Sequence, residues 1–169
     1  MRVGLMADTH DRIPVIAEFV RLMQEAGVAM LIHAGDYCAP FSLRPIEEAS
    51  MSLAGVFGKN DGDREGLLAK ATAGFGAELY EGPHSFELAS QRILVVHDIG
   101  DVQPRSIEGH SIVVHGFTHQ QEMKTRGETL IVNPGEACGW LYGTPSAAIL
   151  DLDSLHVEFL SLSAPEWKY

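Results

Sequence analysis

The chain has 169 residues, with 12 Lys+Arg against 23 Asp+Glu and a formal net charge of −11. Hydrophobic residues make up 46% and charged residues 21%, which excludes a disordered chain and leaves enough apolar material for a packed core. The acidic balance argues against bulk nucleic acid as a partner, since phosphate contacts need clustered cations, but a small anionic substrate remains open if a metal ion supplies local positive charge. The elements then read in chain order. Residues 2–6 form a buried strand, and Ile13, Ile16, Val20 and Met23 recur at helical spacing, with Pro14 in the first turn and Gly27 after the end. Strands are expected at 29–33 and 53–57, and helices at 43–49 and 65–73. This strand–helix alternation implies a parallel sheet. Further strands are expected at 84–88, 92–97, 112–115, 122–125, 129–133, 147–151 and 156–161, with Gly127 turning a hairpin. Several, such as 93–96, are solid apolar runs, as for strands covered on both faces.

The reading is a single domain over 1–169, two packed sheets with helices outside. Two cysteines, Cys38 and Cys138, argue against a disulfide framework and point to a reducing, cytoplasmic setting. The apolar run from Val3 is cut by Asp8, so no signal peptide is expected, and no stretch reaches membrane-spanning length.

Five polar clusters each follow an expected strand: Asp8-Thr9-His10, Gly35-Asp36, Gly58-Lys59-Asn60-Asp61, His97-Asp98 and His115-Gly116-Phe117-Thr118-His119. Sites in α/β sheets form at the carboxyl ends of strands, so these loops can converge. If the first strand continues through Asp8 and His10, the two side chains point the same way and can grip one cation. Oxygen and nitrogen donors together suit a hard-to-borderline metal, and Asp36 can bridge two ions that clamp a phosphoryl group.

That order of clusters, with Asn133-Pro134-Gly135-Glu136 downstream, resembles the calcineurin-like metallophosphoesterase superfamily, in particular its small archaeal and bacterial phosphodiesterase branch. The resemblance implies an α/β fold, an αββα sandwich of two mixed β-sheets flanked by helices. It implies hydrolysis of a small phosphoester by metal-bound hydroxide, with one or two divalent ions per chain (Mn, Zn, Fe, Ni or Co). Carried onto this chain, the first metal site is complete in Asp8, His10, Asp36 and His119. The second keeps Asp36 and His97. Lys59 stands where the family has an asparagine ligand, and Phe117 where it has a histidine. Phenylalanine offers no lone pair, and a protonated lysine repels a dication. The Lys59 ammonium is expected in the region of the lost ion, paired with Asp36 or Asp98, where with His97 it steadies the phosphoryl oxygens. A second site restored through Asn60, Asp98 or His115 stays open, as does a degenerate protein serving as a binding scaffold.

Plainer roles are expected elsewhere. Asp11 caps the first helix, and His33 is a satisfied interior histidine. Asp61 either orients the Lys59 loop or caps the next helix. Cys38 packs, and Asn133-Pro134-Gly135 is a turn, with Glu136 behind a ligand at most. Trp167-Lys168-Tyr169 is a frayed end, an oligomer contact being the alternative. Oligomeric state is not legible.

Overall fold

The computed structural model describes residues 1–73 and 75–167. The first sheet is built from β1 (Arg2–Met6), β2 (Met30–His33), β3 (Ser52–Val56) and β4 (Ala77–Tyr80), closed by β10 (Ser146–Asp151) and β11 (His156–Ser161) in the order β11-β10-β1-β2-β3-β4. β1 to β4 run parallel, and β10 lies antiparallel on β1. The second sheet holds β5 (His84–Leu88), β6 (Gln91–Val95), β7 (Ile112–Val114), β8 (Gln121–Arg126) and β9 (Thr129–Pro134) in the order β5-β6-β7-β9-β8. Its middle strands β6, β7 and β9 are parallel and its edges antiparallel. Both sheets are therefore mixed.

Strand alternation explains the unbroken apolar runs. Val3, Leu5, Ile32 and Val56 of one sheet face Ile93, Val95, Val114 and Val132 of the other in one buried cluster. The opposite face of the first sheet packs on α1 (Ile13–Glu25), α2 (Arg44–Glu48) and α3 (Arg64–Thr72), through residues such as Met6, Phe19, Ile46 and Leu67. The outer face of the second sheet, Leu94, Val96, Val113 and Ile131, is covered by Ile107 of α4 (Pro104–Glu108). The result is four layers, αββα, as expected. Among the described residues no helix is long and apolar enough to cross a membrane.

Most expected strands shift by only a residue or two. The helix expected at 43–49 splits into a 3-10 turn at Pro40–Leu43 and α2. β4 and α4 were not expected. β4 is four residues long, and α4 buries Ile107 alone, too little for periodicity to register. The frayed tail is corrected at Trp167, which packs on the helical core and accepts a 2.7 Å hydrogen bond from Arg12 Nη2 at its carbonyl. Lys168 and Tyr169 lie outside the described residues.

Candidate metal centre

Six loops meet at one end of the two sheets, each leaving the carboxyl end of a parallel strand: 7–12 after β1, 34–39 after β2, 57–63 after β3, 96–98 after β6, 115–120 after β7 and 135–145 after β9. β1 stops at Met6, so Asp8 and His10 do not share a strand face. The expected alternation is wrong. Instead Asp8, His10, Asp36 and His119 all hold positive φ, at 52°, 39°, 63° and 61°. That left-handed backbone costs a non-glycine residue about 1–2 kcal/mol, least for short polar side chains. Bonds between loops hold it: Asp8 N–H donates to the Gly35 carbonyl (3.0 Å), His10 N–H to that of Asp36 (3.1 Å) and Cys138 N–H to that of Asp8 (3.0 Å).

Buried carboxylates and amides brace these turns. Asp61 accepts from the backbone N–H of Asp36 (3.1 Å), Cys38 (2.8 Å) and Gly58 (2.6 Å), so it orients the Lys59 loop. Asp63 is the cap of α3. Asp11 does not cap α1 either; the cap position falls one residue later, on Arg12, and Asp11 Oδ1 instead accepts from Ala39 N–H at 3.0 Å. Asn133, expected as a plain turn residue, is fully buried, and its amide donates to the Gly116 carbonyl and Thr118 Oγ1, both at 2.9 Å. It thereby fixes the loop that carries Phe117 and His119. Gly58 and Gly116 permit close approaches to the two aspartates. A Cβ on Gly58 would overlap Asp36, and one on Gly116 would lie 2.8 Å from Ala7 Cβ and 3.0 Å from Asp8 Oδ2.

The side chains converge on Asp36. His10 Nε2 and His97 Nε2 lie 3.5 and 3.4 Å from Asp36 Oδ2, and His119 Nε2 lies 3.5 Å from Asp8 Oδ1. Ligand atoms of Asp8, Asp36 and His97 fall within 4.8 Å of one another. Each imidazole is tied at its other nitrogen: His97 Nδ1 to the Ala34 carbonyl (2.8 Å), His119 Nδ1 to Glu136 Oε2 (2.9 Å) and His10 Nδ1 to Cys38 Sγ (3.2 Å). Such ties fix ring orientation and leave Nε2 free for a metal. Cys38, expected only to pack, is therefore a contact of His10. Among the described residues, Asp8 Oδ1 and Oδ2, His10 Nε2 and His97 Nε2 are buried without a hydrogen-bond partner. Buried polar atoms are almost always paired, so this convergence of lone pairs fits a cation.

The electrostatics agree. Burial raises the Asp8 carboxyl to about 6, although His119 and His97 pull it down. At Asp36 burial also pushes upward, but the neighbouring His97 imidazole and the hydrogen bonds from Asn60 outweigh it and hold the carboxyl below the usual carboxylate range. Burial lowers His10. It also opposes a charged His97, yet adjacent Asp36 prevails and raises that imidazole. His10, His119 and Cys138 form another grouping whose ligand atoms fall within 4.8 Å, with burial raising the Cys138 thiol to about 12. His33 is the satisfied interior histidine expected: Thr9 Oγ1 lies 3.1 Å from Nε2, and Gly35 N–H donates to Nδ1 at 3.1 Å.

Around His97 the chemistry changes. Lys59 Nζ forms a 2.6 Å ion pair with Asp98 Oδ2 and sits 3.7 Å above the centroid of the Phe117 ring. Phe117 in turn meets His97 edge-on, with centroids 5.7 Å apart. Asn60 binds both oxygens of Asp36, its backbone N–H to Oδ1 (2.8 Å) and its amide Nδ2 to Oδ2 (2.7 Å). His115 turns away, with Nε2 3.2 Å from Glu122 Oε2.

The fold and this cluster define a class. Residues 1–155 match the calcineurin-like phosphoesterase superfamily domain, and the chain belongs to that family. Family membership implies use of a divalent metal, for which the chain holds candidate ligand groups. The chain is 28% identical over 156 residues to phosphodiesterase MJ0936 of Methanocaldococcus jannaschii, covering 90% of this chain and 94% of that one. It is 29% identical over 181 residues to a probable metallophosphoesterase of Methanothermobacter thermautotrophicus, covering 98% and 95%. Among solved structures, a protein described as a novel archaeal phosphodiesterase superimposes with a TM-score of 0.86 at 27% identity, covering 96% of this chain and all 100% of its own.

Proposed function

We propose that this chain hydrolyses phosphodiesters of small molecules in the cytoplasm, with one divalent ion held by Asp8, His10, Asp36 and His119 and the Lys59 ammonium in place of a second. The observation that carries this reading is the set of unpartnered buried atoms around Asp36: both Asp8 oxygens, His10 Nε2 and His97 Nε2. Leaving such groups unpaired is costly, and a cation matched to oxygen and nitrogen donors offsets that cost. When bound, a manganese, zinc, iron, nickel or cobalt ion acidifies a water toward neutrality and so supplies the nucleophile.

The chain's own residues do the rest. Glu136 holds His119 by its Nδ1, and the Ala34 carbonyl holds His97 by its Nδ1, so neither ring needs to reorganise. Lys59 offers a point charge to the phosphoryl oxygens on the side of His97. Its side chain is half exposed, so it can leave Asp98 for an incoming phosphate. Solvent protonates the leaving group. An ammonium cannot acidify water as a metal ion does, so turnover is slower than with two ions.

The test is hydrolysis of bis(p-nitrophenyl) phosphate under each of the five metals, with Asp36→Asn as control. The expected result is metal-dependent turnover that falls about 100-fold or more in the variant. Absence of turnover under every metal favours a degenerate scaffold, and turnover surviving Asp36→Asn contradicts the assignment.

A further inference from the structure

The loop after Glu136 has no role in the hydrolysis just described, yet it is built with care beside it. Gly139 and Gly143, at φ of 63° and 77°, bracket Trp140, Leu141 and Tyr142. These three side chains are 44%, 69% and 57% exposed. Exposed apolar groups gathered at one place on a charged surface mark a contact site. The loop is not loose. Glu136 accepts the backbone N–H of Leu141 at Oε2 (3.0 Å) and of Tyr142 at Oε1 (2.6 Å), and Gln120 Nε2 donates to the Tyr142 hydroxyl. The same carboxylate orients His119, so one buried group fixes both the candidate ligand and the loop.

The placement of the tryptophan says what it meets. Trp140 stacks on His10 with centroids 5.8 Å apart and 29° between planes. His10 Nε2 in turn lies 3.5 Å from Asp36 Oδ2. A phosphoryl group seated at Asp36 therefore carries its ester substituent one imidazole away from an exposed indole. Phe117, also exposed, meets His97 nearly at right angles and has the Lys59 ammonium over its ring, so the larger indole of Trp140 offers the wider stacking surface. Planar π-systems stack on indole with little regard to their hydrogen-bonding edges. The net charge of −11 disfavours a polyanion, so the ring belongs to a small molecule.

We propose that Trp140, backed by Leu141 and Tyr142, is the binding wall for a planar aromatic substituent of the phosphoester, which makes the substrate class nucleoside or aryl phosphodiesters. This rests on the phosphoesterase reading above.

Calorimetry on the full-length zinc-loaded protein tests it without turnover. The probes are adenosine 5′-monophosphate, phenyl phosphate and ribose 5-phosphate. Wild type should bind adenosine monophosphate roughly tenfold more tightly than ribose 5-phosphate. Trp140→Ala should erase that difference by weakening only the ring-bearing ligands, and Trp140→Phe should restore most of it. Phenyl phosphate matching the nucleotide would assign the wall to any aryl ester; phenyl phosphate binding like the bare sugar phosphate would assign it to nucleosides. Either supports the wall. Equal affinity of wild type for nucleotide and sugar phosphate overturns it, as does equal weakening of both ligands by Trp140→Ala. Indole emission that answers to protein concentration and not to nucleotide also overturns it, giving the patch to a second copy of the chain. Bis(p-nitrophenyl) phosphate hydrolysis in the same preparation separates the two readings. Turnover without ring preference removes the wall alone; ring preference without turnover removes the hydrolysis alone.

Discussion

Asp36 Oδ2 has three nitrogens around it: Asn60 Nδ2 at 2.7 Å, His97 Nε2 at 3.4 Å and His10 Nε2 at 3.5 Å. Only the amide is close enough to be a hydrogen bond. The imidazoles stand off at a distance that suits a shared ion. On the His97 side, however, the remaining donors are missing. Phe117 has no lone pair, and Lys59 turns its charge onto Asp98 and the Phe117 ring. Three positions distant in sequence, 59, 98 and 117, thus form one contact cluster. Under the proposed function they jointly replace an ion by an ammonium. It follows that Lys59→Asn combined with Phe117→His raises bound zinc from one to two ions per chain, read by elemental analysis of the dialysed protein. An unchanged count would mean these two positions do not face the second site.

At the scale of elements, the site is a product of loop packing. Gly58 follows β3 so closely that its Cα rests against Asp36, where a Cβ would overlap Asp36 Oδ1 and its backbone nitrogen. Gly58→Ala should therefore cost about 1–3 kcal/mol by overpacking, visible as a lowered melting temperature. Gly62→Ala in the same loop, where nothing lies within 4 Å of the added carbon, is the control and should be near neutral. Equal effects of the two would refute the close packing of the β2 and β3 loops. The sequence told of the strands around these loops because burial on both sheet faces leaves apolar runs, as in 93–96. It told of the polar clusters that hold Asp8, His10, Asp36, His97 and His119 because each follows such a run, while the family resemblance singled these five out as candidate ligands. It did not tell of their left-handed backbone, since φ at Asp8 or His119 depends on hydrogen bonds to other loops. It marked Asn133 only as a turn and Cys38 only as packing, and Trp140 not at all. Their roles come from contacts with Thr118 and His10, which are made by folding and leave no spacing to read.

At the scale of the molecule, two mixed sheets aim their parallel strands at one end, and the interior between them beneath the site is a buried apolar cluster. His33 at the end of β2 shows the consequence. It is fully buried, stacked on Tyr37 with centroids 3.9 Å apart, and burial lowers its imidazole to about 3 from 6.5. The unfolded chain takes up a proton there below about pH 6.5 while the folded chain does not, so stability is lost as pH falls through the window from 6.5 to 3. The slope from this one group approaches about 1.4 kcal/mol per pH unit. His33→Phe keeps a ring against Tyr37 but cannot titrate. Urea unfolding at several pH values should show the variant less stable at pH 7 and flatter in its pH dependence by about that slope. Parallel profiles would contradict a buried neutral His33.

How many cations the six loops hold, and where, decides the chemistry of the site. An anomalous difference map from zinc-soaked crystals measures both at once. One peak among Asp8, His10, Asp36 and His119, with none between His97 and Lys59, is the expected map; an empty site, or a second peak beside His97, would contradict it.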